Sequence, residues 1–157
     1  MAKSRLNAVF VVPASGGELR QLTSDVEPKR GLEWHPDGRR LTYHVSLSDS
    51  ETRQAFLDGR EPTMLVNAPD TWDWIGVWAP DGQRFFFLGS NASEKKLGIY
   101  TYDESSGNTT QVSDLVDNVG VPVWSSDGKT MAWWQTRQTS IQTWIMEDFL
   151  PESTTGK

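Results

Sequence analysis

Two histidines, three regularly spaced aspartates and a Trp-Asp-Trp triplet are the parts of this sequence that could do chemistry. Histidine is the usual general base. His35 sits beside Trp34 in what reads as a tight turn, and His44 lies on the strand face opposite Leu41, Tyr43 and Val45. Both are therefore read as structural or surface residues rather than as bases or ligands. There is no cysteine, hence no thiolate nucleophile, disulfide or zinc–thiolate centre. No Gly-x-Ser-x-Gly elbow and no His-Glu-x-x-His pair occurs, which removes the sequence marks of a serine hydrolase and of a zinc peptidase. Asp37, Asp81 and Asp127 each precede a glycine, and that context assigns them to turns rather than to a shared acid–base pair. No calcium-loop spacing is present among the remaining carboxylates. The chain is thus expected to be non-enzymatic, with no cofactor and no metal.

The elements that hold these residues announce themselves by repetition. Trp34-His35-Pro36-Asp37-Gly38 returns as Trp78-Ala79-Pro80-Asp81-Gly82 and as Trp124-Ser125-Ser126-Asp127-Gly128, the tryptophans lying 44 and 46 residues apart. Each copy leads into an apolar run: Leu41-Thr42-Tyr43, Phe85-Phe86-Phe87-Leu88 and Met131-Ala132-Trp133-Trp134. A period in the forties with two strands meeting at an Asp-Gly is the pattern of β-propeller blades. A β-sandwich also has many short strands, but it has no reason to repeat one phrase. The reading is all-β, a partial β-propeller of about three to three and a half four-stranded antiparallel blades. With roughly 45 residues per blade, four to eight blades need roughly 180 to 360 residues, and the chain has 157.

The units are placed at about 1–25, 26–69, 70–114 and 115–151, with 152–157 a polar tail. In the first, Ala8–Val12 and Glu18–Leu22 flank Pro13-Ala14-Ser15-Gly16-Gly17 and read as the outer strands of a blade. In the second, the polar stretch from Ser46 to Thr52 reads as a loop, and the third strand near Gln54 is poor. The third unit has a run without alternation, Phe85–Leu88, as a strand buried on both faces should. In the fourth, Val119–Trp124 is expected as one inner strand, and Ser126 stands where the other turns have proline. Thirteen strands result. Eight Trp, six Phe and three Tyr beside thirteen Gly and eight Pro suit short strands and tight turns, and no sustained helical spacing is found.

The formal net charge is −6 and no basic cluster exceeds a pair, so nucleic acid is not an expected partner. No apolar stretch approaches the ~20 residues of a membrane-spanning helix, and no membrane insertion is expected. The N-terminus shows no signal-peptide pattern.

The repeated Trp-x-x-Asp-Gly phrase resembles the propeller repeat of the TolB-like class, Trp-Ser-Pro-Asp-Gly followed by a basic residue and an apolar strand. Val11–Glu18 with Gln21-Leu22-Thr23 is similar to the outer hairpin of that repeat, and Trp144–Pro151 is similar to the C-terminal end of many bacterial propellers of the kind. The resemblance spans nearly the whole chain and implies the fold. Functionally it implies several things at once, since such repeats occur in TolB, in the propellers of prolyl-oligopeptidase-like peptidases and in sugar-active enzymes. It also implies a periplasmic location where a signal lies upstream, and a cytoplasmic one otherwise.

Binding is expected at the end of the blades opposite the Asp-Gly turns, where the loops leading into the inner strands converge on the channel. Candidate residues there are Lys29 and Arg30, then Trp72, Asp73 and Trp74, then Asp117 and Asn118. Tryptophans flanking a carboxylate would offer an apolar platform to a peptide or a sugar ring, although either indole could equally wedge between blades. The expected partner is a protein or peptide held by these loops, with carbohydrate as an alternative. A further alternative is the specificity propeller of a prolyl-oligopeptidase-like hydrolase. Open blade faces would be covered either by a second copy closing the ring as a homodimer or by the rest of a longer propeller.

Overall fold

Three hairpins close with the same set of hydrogen bonds, and they set the frame of the molecule. In each, the glycine N–H donates to the carbonyl three residues back (Gly38 to His35, Gly82 to Ala79, Gly128 to Ser125, all 2.9 Å). The aspartate carboxylate then accepts the N–H two residues on, from Arg39 at 2.8 Å, Gln83 at 2.9 Å and Lys129 at 3.1 Å. The three glycines take φ of 66°, 71° and 71°, a region costly for a residue with a Cβ. In the last turn Ser125, at the position of His35 and Ala79, adds two side-chain bonds: its Oγ donates to Asp127 Oδ1 at 2.6 Å and accepts from Thr130 N–H at 3.0 Å.

The structure is a computed structural model, and it describes residues 7–45, 51–66, 75–91, 93, 95–137 and 140–147. Every regular element among them is a strand. The first sheet has two, β1 (Phe10–Val11) and β2 (Arg20–Gln21). The second runs β3 (Lys29–Trp34), β4 (Arg40–Val45), β5 (Glu51–Phe56) and β6 (Thr63–Val66) in that order. The third runs β7 (Gly76–Trp78), β8 (Arg84–Asn91), β9 (Lys96–Asp103) and β10 (Thr109–Gln111). In the fourth, β11 (Asn118–Val119) and β12 (Val123–Trp124) both pair with β13 (Thr130–Arg137), which pairs on its other edge with β14 (Ser140–Glu147). All pairings are antiparallel, and all but β11 with β13 join chain neighbours, the local connectivity of propeller blades.

Several expectations about strands change: the two strands of the first unit are only Phe10–Val11 and Arg20–Gln21, and Glu51 and Thr52, expected in a loop, open β5. The last inner strand is split into β11 and β12 around Gly120-Val121-Pro122, because proline has no N–H to give to β13. And β5, which looked poor, pairs residue for residue with the whole of β4, from Arg40↔Phe56 to Val45↔Glu51. Its polar residues Thr52 and Gln54 are buried, so a tertiary neighbour overrides a weak local pattern.

Packing follows the two-residue period of the strands. Leu41, Tyr43 and Val45 turn one face of β4 to Val9, Val11 and Leu22 of the first unit. Trp78, Phe85, Phe87 and Tyr100 of the third sheet pack on Leu65 and Val66 of the second. Phe86, Leu88 and Ile99 turn the other face of the third sheet to Val119, Met131 and Trp133 of the fourth. The uninterrupted Phe85–Leu88 run is thereby explained: Phe85 and Phe87 serve one junction, Phe86 and Leu88 the next. Each such side chain contributes about 1.5–3 kcal/mol by leaving water.

Candidate functional site

The end of the blades opposite the Asp-Gly turns is built, in the second unit, by the loop before β3 and by the adjoining ends of β4 and β5. Lys29 begins β3, and its ammonium is the centre of that loop. It pairs with the Asp25 carboxylate and donates to the carbonyls of Asn7 at 2.8 Å and Glu27 at 3.1 Å. The Glu27 N–H donates to Asp25 Oδ1 at 3.2 Å, closing the loop on itself. Next to it, Arg53 donates to Glu27 Oε2 at 2.5 Å and pairs with Glu51. Tyr43 lies beneath, fully buried, with the Lys29 ammonium 5.7 Å from its ring centroid. Burial first, and then the Asp25 carboxylate, push the Tyr43 hydroxyl up to about 12.

Arg30 differs from Lys29 in pointing outward. It is exposed, and it pairs in register with His44 on β4. His44 is buried, and burial followed by the charge of Arg30 holds its imidazole below the ordinary histidine value. At the far unit, Asp117 and Asn118 are exposed where β11 begins. Trp72, Asp73 and Trp74 lie outside the described residues. Among the described residues, then, the rim offers exposed Arg30 at the start of β3, exposed Lys95 and Lys96 where β8 turns into β9, and an exposed carboxylate and amide at the start of β11. Lys29 is committed to its own loop. No group of three or more His, Asp or Glu with metal-holding geometry is found among the described residues.

The second histidine proves to be a joint between blades. His35 is buried, its ring edge-on to Trp78 with centroids 4.3 Å apart. Its Nε2 lies 3.0 Å from the Gly82 carbonyl oxygen and 2.8 Å from Arg40 Nη2, and its Nδ1 accepts the Asp37 N–H at 3.1 Å. Arg40 also donates to Glu104 Oε2 at 2.9 Å and Asp37 Oδ2 at 3.0 Å. A Cβ on Gly82 would stand 2.9 Å from His35 Cε1, so the glycine that the turn needs for its backbone also makes room for the imidazole. The sequence carried only one hint of this joint, the large residue at a position occupied by Ala79 and Ser125 in the other copies.

Sheets of this connectivity, stacked face to face, define a part of a β-propeller. Comparison with known proteins places it more closely: the chain has a TolB-like β-propeller fold. It superposes on TolB from Acinetobacter baumannii with a TM-score of 0.73 at 17% identity, covering 89% of this chain and 35% of that one. It matches a putative TolB from Agrobacterium tumefaciens with a TM-score of 0.73, also at 17% identity, covering 89% and 52%. An oligogalacturonate lyase from Vibrio parahaemolyticus shares the fold at a TM-score of 0.65 and 16% identity, covering 92% and 42%. Among curated proteins, dipeptidyl-peptidase 5 of Porphyromonas gingivalis is 30% identical over 99 residues, 54% of this chain and 14% of that protein. The chain therefore spans a small fraction of that relative and a third to a half of the TolB structures. No family model matches.

Proposed function

We propose that this chain is a binding module that holds a protein or peptide by the rim opposite the Asp-Gly turns. The observation that carries the reading is the set of exposed polar side chains at the rim. At the turn end His35, Arg40 and Glu104 are consumed in joining neighbouring blades. At the rim, Arg30 and the Asp117-Asn118 pair are exposed on the starts of strands whose backbones are held in register. Side chains of opposite sign on a rigid scaffold select partners of complementary charge. Trp72, Asp73 and Trp74 belong to the same proposed rim by their place before β7, and carbohydrate is the alternative ligand for that aromatic triplet.

The test is selection of peptides from a display library on the 157-residue chain, followed by titration of the winners. Arg30→Glu and Asp117→Lys should each weaken binding by about tenfold, with urea midpoints unchanged. Selected peptides that bind both variants as well as the parent chain would sink the rim.

A second reading, the specificity propeller of a peptidase, is supported by the 30% identity to dipeptidyl-peptidase 5 over 99 residues. It predicts that the winning peptides share an N-terminal dipeptide preference, and that the chain alone leaves dipeptidyl p-nitroanilides uncut.

A further inference from the structure

The junction between the third and fourth sheets repeats the one between the second and third, with an exchange that leaves two polar groups unserved. In the earlier junction Trp78 Nε1–H donates to Thr42 Oγ1 of β4 at 2.7 Å. Thr42 stands four residues after Gly38, and the same place after Gly82 is held by Phe86 of β8. Trp124, the counterpart of Trp78, therefore meets a ring where Trp78 meets a hydroxyl. The two rings are edge-on, at 77° with centroids 5.6 Å apart. Trp124 Nε1 is buried there and has no hydrogen-bond partner among the described residues.

The second group is on the adjoining strand. Thr101 of β9 lies directly across from Phe86, so its side chain is on the same face of the sheet, the face that packs on the fourth sheet. Thr101 is 9% exposed, and its Oγ1 is likewise buried without a partner among the described residues. The matching residue of the second sheet is Gln54, across from Thr42, and its Oε1 is held by Arg40 at 3.4 Å. Around Phe86 the walls are apolar, made by Ile99, Val119, Met131 and Trp133. Leaving a buried donor dry is costly, and native structures rarely do so. Two such groups beside one ring call for a shared partner.

We infer that this junction binds one buried water, which accepts the Trp124 indole N–H and donates to Thr101 Oγ1. Opposite residues of an antiparallel pair have Cβ atoms about 4.5–5.5 Å apart. One water links polar atoms about 5–6 Å apart through two ordinary hydrogen bonds. The occupant is neutral, because the apolar wall offers nothing to offset a desolvated charge. The water does in this junction what the Thr42 hydroxyl does in the one before: it ties the tryptophan of one sheet to the sheet preceding it. The site lies wholly between two four-stranded sheets and is independent of the rim of the proposed function.

The test uses the whole chain. A high-resolution crystal structure should show one water within about 3.2 Å of both Trp124 Nε1 and Thr101 Oγ1. In solution, the Trp124 indole proton, assigned through Trp124→Phe, should give an NMR cross-peak to a long-lived water. That cross-peak should survive in Thr101→Ser and be lost in Thr101→Val. Phe86→Thr offers the indole a direct acceptor, as Thr42 does for Trp78, and should displace the water. Far-UV circular dichroism with urea midpoints checks that the variants stay folded, and the serine and valine pair decides if Phe86→Thr does not fold. A direct bond between Trp124 and Thr101, an indole N–H that is dry or bonded elsewhere, or a cross-peak unchanged in Thr101→Val would overturn the water.

Discussion

Thr42→Val is the most direct test of how the second and third blades are joined. Thr42 and Trp78 are 1% and 3% exposed, and the 2.7 Å bond from Trp78 Nε1 to Thr42 Oγ1 crosses their junction. Valine keeps the branched shape and replaces the hydroxyl with a methyl, so the indole N–H is left dry and unpaired. The cost of orphaning a buried donor is about 1–3 kcal/mol. Trp78→Phe removes the donor itself, along with the edge contact to His35 and the Arg40 stacking, at about 3 kcal/mol. The two costs should not add. With no N–H to orphan, Thr42→Val in the Trp78→Phe background should cost about 1 kcal/mol less than in the parent. The assay is urea denaturation followed by far-UV circular dichroism, with the denaturant slope held constant across the set. A Thr42→Val cost within about 0.5 kcal/mol of zero, or an equal cost in both backgrounds, would refute the claim that this bond stabilises the junction.

Gly76→Ala should destabilise by about 1–3 kcal/mol or more, because a Cβ there would stand 2.3 Å from the Phe86 carbonyl oxygen and 2.7 Å from Phe85 Cζ. Gly38→Ala, with nothing within 4 Å but φ at 66°, should cost only about 1–2 kcal/mol; equal losses would show that the close approach is unimportant. Tyr43 makes alkaline stability a readout. Its hydroxyl is raised from 10.0 to about 12, so both states are protonated below the lower value and no stability is lost there. As pH rises between the two values the unfolded chain ionises first, and stability should fall by about 1–3 kcal/mol, discounted for screening at the rim. Tyr43→Phe should flatten that part of the pH profile, and an unchanged profile would refute the assignment.

Turn chemistry was legible in the sequence because it is local. An aspartate that accepts an N–H two residues on, followed by a glycine at positive φ, forms the same hairpin wherever it occurs, and Gly38, Gly82 and Gly128 do so alike. Blade stacking was legible in part: the unalternating Phe85–Leu88 announced a strand buried on both sides. The strength of β5 was not, since Glu51–Phe56 gains its place from full register with β4 rather than from its own pattern. At the rim, Lys29 and Arg30 are neighbours in sequence with the same charge. Only strand alternation and the folded loop separate them, one committed to Asp25 and the other exposed.

From residue order alone came the all-β class, the period and the position of each hairpin, since these depend on contacts within a few residues. Tertiary structure decided which copies of one phrase are equivalent. Trp34 and Trp78 are the same word, yet one is half exposed and the other is sealed by Thr42, Arg40 and His35. Burial belongs to whatever lies on the neighbouring blade, and no residue carries that information in its own segment.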